Sequence, residues 1–141
     1  MRRPPLEGST VARISVLLVD DNGAMLTDLR DELSHEFKIA GTVANGGEAV
    51  RAVLRLDPDV LVLDITMPVM NGLEIASRLR DIHHRTKVVF LTIHEEPEYV
   101  SAAFSAGAFG YVTKRRLASD LAPAIREAFD GRTFLSPSLQ K

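Results

Sequence analysis

The sequence predicts an α/β fold in which a parallel five-stranded sheet is doubly wound by five helices, forming a single (βα)5 unit. Three observations predict it. Short apolar runs recur at residues 14–19, 60–63 and 88–91, the pattern of strands covered on both faces. Stretches with apolar residues at helical spacing lie between them. Carboxylates follow two of the runs directly: Asp20 and Asp21 after the first, Asp64 after the second. The carboxyl rim of an open parallel sheet is where such folds place their chemistry.

Residues 1–13, with Pro4-Pro5 and Gly8-Ser9-Thr10, show no periodicity and read as a flexible arm. After the first strand, Met25, Leu26, Leu29 and Leu33 form an apolar stripe among Asp28, Arg30, Asp31 and Glu32, giving an amphipathic helix. Residues 37–43 read as the second strand. Asn45, with Glu48 three residues on, resembles a capping box that opens a helix through Val50, Val53 and Leu54 to Leu56, and Asp57-Pro58 ends it.

Residues 60–63 form the third strand, and a loop runs from Asp64 to Asn71. Leu73, Ile75, Ala76 and Leu79 set a third helix from Gly72 to about His83. Val88-Val89-Phe90-Leu91 is a fourth strand ending at Thr92. Pro97 suits a first helical position, and that helix carries Val100, Ala103 and Phe104 and stops near Gly107. Gly110-Tyr111-Val112 is a brief fifth strand at the sheet edge. The last helix is expected over about 119–129 with Gly131 closing it, and if Asp120 is its cap then Pro123 lies in its first turn. Right-handed crossovers make the sheet doubly wound. In the flavodoxin-like order 2-1-3-4-5 the first and third strands are neighbours, and we adopt that order because it brings Asp20, Asp21 and Asp64 together.

Composition narrows the function. The chain has 141 residues, enough for one domain with a real core. Its 17 basic and 19 acidic residues leave a net charge of −2, so no global basic field argues for nucleic-acid binding by this segment. There is no cysteine, hence no disulfide framework and no thiolate metal site. No apolar run approaches the roughly 18 residues of a membrane span, and the opening Met1-Arg2-Arg3-Pro4-Pro5 lacks the core of a signal peptide. The expectation is a cytoplasmic protein with no membrane partner.

Five separated features carry a family resemblance: Asp20-Asp21; Asp64 after the third strand; Asp64-Ile65-Thr66-Met67-Pro68 with Gly72 following; Thr92; and Tyr111-Val112-Thr113-Lys114. In this order and at these strand ends, residues 14–131 resemble the CheY-like receiver domain of two-component response regulators. The tail from Gly131 to Pro137 resembles the segment that leads to a DNA-binding output domain in the NarL/FixJ subfamily with LuxR-type output. On that likeness residues 132–141 are a linker toward an absent output domain, and DNA would be reached only through it.

The resemblance implies that Asp64 is the phosphoacceptor, that Asp20 and Asp21 contact Mg²⁺ (or Mn²⁺), and that Thr66 offers its backbone carbonyl to the metal. It implies Thr92 and Lys114 as phosphoryl contacts and Tyr111 as the switching aromatic. It further implies a sensor histidine kinase as donor, a homodimer on phosphorylation, and a switch whose output is transcription rather than catalysis. Elementary chemistry supports the roles. Clustered carboxylates repel one another, and a hard divalent cation relieves that repulsion. No G-x-x-x-x-G-K-[ST] or G-x-G-x-x-G stands in the chain, so the phosphoryl donor comes from outside.

Each feature alone has a plainer reading. Asp20-Asp21 can be a helix cap, Thr92 a strand-end hydroxyl, Lys114 a surface amine, and Tyr111 edge-strand packing. Their joint placement decides for the site. His35, His83, His84 and His94 lack zinc-type spacing, while His94 and Thr66 are placed to influence water access to Asp64. Gly46-Gly47 reads as a helix start, and Arg115-Arg116 as a solvated pair. Arg115 stands where many receivers carry proline after the lysine, the residue type for which a cis bond is cheap.

Three other functions compete. A haloacid-dehalogenase-like phosphatase also uses an aspartyl phosphate, but its D-x-D pattern is missing, since Thr66 stands two residues after Asp64. A flavodoxin-like cofactor module would seat a phosphate against these acids. A pseudo-receiver would keep the fold and bind constitutively.

Overall fold

The computed structural model describes residues 13–82 and 84–140. Its elements are β1 (Ser15–Val19), α1 (Gly23–Leu33), β2 (Lys38–Val43), α2 (Gly46–Leu56), β3 (Val60–Leu63), α3 (Gly72–Asp81), β4 (Lys87–Thr92), α4 (Pro97–Ser105), β5 (Gly110–Thr113), α5 (Leu117–Phe129) and β6 (Phe134–Leu135). All strands pair in parallel in the order β2-β1-β3-β4-β5-β6. The expected 2-1-3-4-5 core is present, with one strand more: β6 pairs with β5, Gly110 against Phe134 and Tyr111 against Leu135. β5 is therefore not an edge strand.

The period of two along a strand divides the core. In β1, Leu17 and Val19 join Leu61, Leu63, Phe90 and Tyr111 beneath α2, α3 and α4. Val16 and Leu18 join Val60, Val62, Val89 and Val112 beneath α1 and α5. Every residue of β3 and β5 is buried, which is why these runs show no polar alternation.

The caps explain most helix boundaries. Asn22, not either neighbouring aspartate, caps α1 by accepting from the Met25 N–H at 3.1 Å. Asn45 caps α2 through the Gly47 N–H, while Glu48 lies 3.8 Å from Arg51. Asn71 caps α3 through the Glu74 N–H at 2.9 Å. At the end of α5, Gly131 takes a positive φ of 81°, and the Arg132 and Gly131 N–H groups return to the Glu127 and Ala128 carbonyls, closing the last turn.

Three expectations need correction. The helix α5 starts at Leu117 after a 3₁₀ turn over Lys114–Arg116, so Asp120 lies inside its first turn and is not the cap; Pro123 lies in the helix interior. Proline has no N–H to donate, so the Ser119 carbonyl loses its helical partner there. Arg115 and Arg116 are solvated only in part: Arg115 is exposed but grips Glu95 with two hydrogen bonds of 2.9 and 3.0 Å, and half-buried Arg116 grips Asp120. The third helix ends at Asp81, short of His83, which lies outside the described residues.

Most of the N-terminal arm, residues 1–12, also lies outside them, whereas Arg13 donates to the Ser34 carbonyl. Among the described residues no peptide bond is cis, so Lys114–Arg115 is trans. No helix among them is long and apolar enough to cross a membrane.

Candidate functional site

Strand register builds the acidic rim. Val19 of β1 stands opposite Leu63 of β3, so the next residues, Asp20 and Asp64, leave the sheet side by side; the Asp64 N–H donates to the Val19 carbonyl at 3.1 Å. Asp20, Asp21 and Asp64 each offer an oxygen within 4.8 Å of the others. Asp20 and Asp64 are buried, and Asp21 is exposed at the mouth. Each buried acid is oriented by a backbone donor, Asn22 N–H to Asp20 Oδ1 at 2.8 Å and Ile65 N–H to Asp64 Oδ1 at 2.7 Å.

Lys114 arrives from the end of β5. Its Nζ lies 2.8 Å from Asp20 Oδ2 and 3.1 Å from Asp64 Oδ2. Burial pulls this ammonium toward the neutral form; the two carboxylates outweigh it and hold the lysine above its ordinary pKa, so it stays charged.

Two glycines let the loop after Asp64 fold back tightly. A Cβ on Gly72 would stand 2.1 Å from the Asp64 carbonyl oxygen, and one on Gly46 would stand 2.1 Å from the Met70 carbonyl oxygen. Gly46 thus begins α2, as expected, and also seats the loop that carries Asp64. Val69, in the same loop, takes a φ of 74° and is 81% exposed, an unusual conformation for a β-branched residue.

A second group closes the other side. Thr92 is fully buried at the end of β4, and the His94 N–H lies 3.4 Å from its Oγ1. The His94 ring reaches Thr66 Oγ1 at 2.7 Å and stacks on Tyr99 of α4, with centroids 4.0 Å apart and an interplanar angle of 11°. Tyr111 is fully buried, and its hydroxyl donates to the His94 carbonyl at 2.8 Å. Burial, then the negative charge of Glu96, pushes the Tyr111 phenol far above its ordinary pKa, so it remains a donor.

The structure therefore joins Asp20, Asp21, Asp64 and Lys114 in one cluster and links Thr66, Thr92 and Tyr111 through His94. The sequence pointed to His94 only by its spacing from Thr92. Its stack on Tyr99, five residues further along, left no sequence signal, since the turn between them sets it. Asp120 was missed as a polar centre: it is buried and accepts from Arg116, Ser119 and Ser136. A cavity of about 500 Å³ lies elsewhere, between α1 and α5, lined by Met25, Leu29, Leu33, Phe37 and Leu121 among others.

The donor set is entirely carboxylate oxygen, with one exposed member to admit an ion, which suits a hard cation and not a thiophilic one.

Comparison with known proteins agrees with this geometry. Residues 16–126 match the family described as the response regulator receiver domain. The chain is 38% identical over 128 residues to the uncharacterized transcriptional regulatory protein YvfU of Bacillus subtilis, covering 89% of this chain and 64% of that protein. It is 39% identical over 99 residues to the chemotaxis protein CheY of Halobacterium salinarum, covering 70% of this chain and 82% of that protein.

A two-component response regulator of the LuxR family from Aurantimonas sp. SI85-9A1 superposes with a TM-score of 0.85 at 29% identity, covering 92% of this chain and 93% of that one. The chain spans about three fifths of the length of the first curated relatives it matches. With the matched span running from β1 into α5, the chain belongs to the response regulator receiver domain family of two-component systems.

Proposed function

We propose that this chain is a phosphorylation switch in which Asp64 accepts a phosphoryl group from a phosphohistidine of a sensor kinase, with Asp20, Asp21 and the Thr66 carbonyl holding Mg²⁺ or Mn²⁺. The observation that carries the reading is the cluster itself: three carboxylates with oxygens within 4.8 Å and a lysine against two of them. Receiver domains bind Mg²⁺ at such a cluster, and they are phosphoacceptors rather than classical enzymes. When bound, the metal supplies charge neutralisation at the transferring phosphoryl oxygens.

In the transfer, Asp64 Oδ2 attacks phosphorus in line, the P–N bond to the donor imidazole breaks, and its electron pair stays on the departing ring nitrogen, which takes up a proton. The Lys114 ammonium moves from the carboxylates to a phosphoryl oxygen, and Asp64 Oδ1 keeps its bond from the Ile65 N–H. Preorganised cations and donors of this kind lower the barrier by matching charge that develops in the transition state.

The switch then runs through Thr92 and Tyr111. Thr92 turns its hydroxyl to the phosphoryl group, and Tyr111 breaks its bond to the His94 carbonyl and moves into the vacated space. The helix α4 is the readout: its nine residues bury only Ala103, and its N-cap, Glu96, makes no side-chain capping bond. Elements with so little burial move at low free-energy cost. Going from 1:99 to 99:1 in the active form requires about 5.5 kcal/mol of differential stabilisation.

Self-association on phosphorylation belongs to the same reading, with the apolar groove between α1 and α5 as one candidate face. Transcription control is the output this reading expects, exerted through a DNA-binding domain joined after β6.

The test is transfer of labelled phosphate from acetyl phosphate. Wild type incorporates label only with Mg²⁺ or Mn²⁺, and Asp20→Asn is strongly slowed. Equal labelling in the presence of a chelator would remove the metal from the reaction.

A further inference from the structure

The root of Lys114 is fastened to the C-terminal segment by a buried polar chain. The Thr113 N–H, one residue before the lysine, donates to Ser136 Oγ at 3.3 Å, and Ser136 Oγ–H donates to Asp120 Oδ2 at 2.8 Å. Arg116, two residues after the lysine, donates to both Asp120 oxygens at 3.2 and 3.3 Å, and Ser119 Oγ donates at 2.9 Å. Residues on both sides of Lys114 thus answer to one carboxylate. Ser136 is 0% and Asp120 4% exposed, so water cannot replace either partner. The Ser136 N–H also donates to the Tyr111 carbonyl at 3.0 Å, which fixes the register of the segment against β5.

From this geometry we infer that Ser136 and Asp120 are positioning residues for Lys114, holding its backbone so that the ammonium reaches the phosphoryl site. The inference rests on the reading of Lys114 as a phosphoryl contact. It goes beyond that reading because it places rate control in a segment remote from the acids. Two features argue against simple packing. Holding β6 to β5 needs only ladder bonds and the apolar Phe134 and Leu135, whereas a buried carboxylate with an arginine is no more stabilising than apolar residues of the same volume. Thr113 Oγ1 is moreover buried without a hydrogen-bond partner among the described residues, a cost retained at the residue before the lysine.

Among the described residues, the Ser136 hydroxyl is the only group that both accepts from the Thr113 N–H and donates to Asp120. Ser136→Ala leaves the buried Thr113 N–H unmatched and removes one of the two donors to Asp120 Oδ2, the other being Arg116, and the 3₁₀ turn bearing Lys114 relaxes. A displacement near 1 Å at a reacting centre can cost up to about 100-fold in rate.

The test measures the rate of phosphoryl incorporation from acetyl phosphate at saturating Mg²⁺ in wild type, Ser136→Ala, Lys114→Ala and the double variant of the whole chain. We expect Ser136→Ala to react about tenfold more slowly than wild type with its Mg²⁺ affinity unchanged, and to add nothing in the Lys114→Ala background.

Wild-type speed for Ser136→Ala beside a slow Lys114→Ala overturns this inference alone. Equal slowing by Ser136→Ala in both backgrounds does the same, because a merely structural role adds independently. A Lys114→Ala chain as fast as wild type overturns the reading of the lysine, and this inference with it. Should Ser136→Ala fail to fold, Arg116→Ala, which removes the partly exposed arm of the same network, carries the identical comparison.

Discussion

Lys114 Nζ sits closer to Asp20 than to Asp64, 2.8 against 3.1 Å. The lysine bridges both acids, so before metal enters it is the cation that limits their repulsion. Lys114→Ala should destabilise the metal-free protein by about 1–3 kcal/mol, less than the 3–5 of a fully buried pair because the ammonium is partly solvated. Mg²⁺ should restore more stability to this variant than to wild type. Thermal melts with and without Mg²⁺ read both effects.

Because the folded-state pKa of Lys114 is raised, its contribution is fully present below the ordinary lysine value. It is lost as pH rises through the higher folded value. Metal-free wild type should therefore lose stability in strongly alkaline solution more steeply than Lys114→Ala, as denaturant titrations across that range would record.

The carboxylate of Asp120 titrates with the opposite sign. Burial alone would raise its pKa, but Arg116, Ser136 and Ser119 override burial and lower it. Its stabilisation is present above the ordinary aspartate value and disappears as pH falls through the depressed folded value. Asp120→Asn should shallow the loss of stability on acidification, measured as the denaturation midpoint against pH.

His94 spans from Thr66, two residues after Asp64, to Tyr99. Substituting His94 by Ala should open that side to water and shorten the lifetime of the acyl phosphate several-fold, and Thr66→Ala should act in the same direction. Phosphate release after removal of excess donor measures this; unchanged lifetimes in both variants would dismiss the idea.

Gly72→Ala should fail for a steric reason. Its Cβ would meet the Asp64 carbonyl at 2.1 Å, a contact with backbone and not with a yielding side chain. The loop must shift, at a cost of about 1–3 kcal/mol, and phosphorylation of Asp64 should fall with it. Urea unfolding and phosphoryl incorporation together check this.

The acids were legible because their positions need only local information. An apolar run fixes a strand, the next residue lies at its end, and neighbouring strands bring Asp20 beside Asp64. Lys114 followed from the same logic. β6 was not legible, since Phe134-Leu135 is too short to show a period and is a strand only because β5 offers a free edge.

The start of α5 was misplaced because Pro123 argues locally for a first turn, whereas the turn over Lys114–Arg116 starts the helix earlier and tertiary packing tolerates the lost bond. The Arg115–Glu95 and Ser136–Asp120 contacts join residues 20 and 16 apart, and no local pattern marks them.

The central claim is that one carboxylate takes the phosphoryl group, and intact-mass analysis after treatment with acetyl phosphate and Mg²⁺ tests it most directly. Wild type should gain a single phosphoryl adduct and Asp64→Asn none. An adduct of equal extent on both chains would contradict the assignment of Asp64.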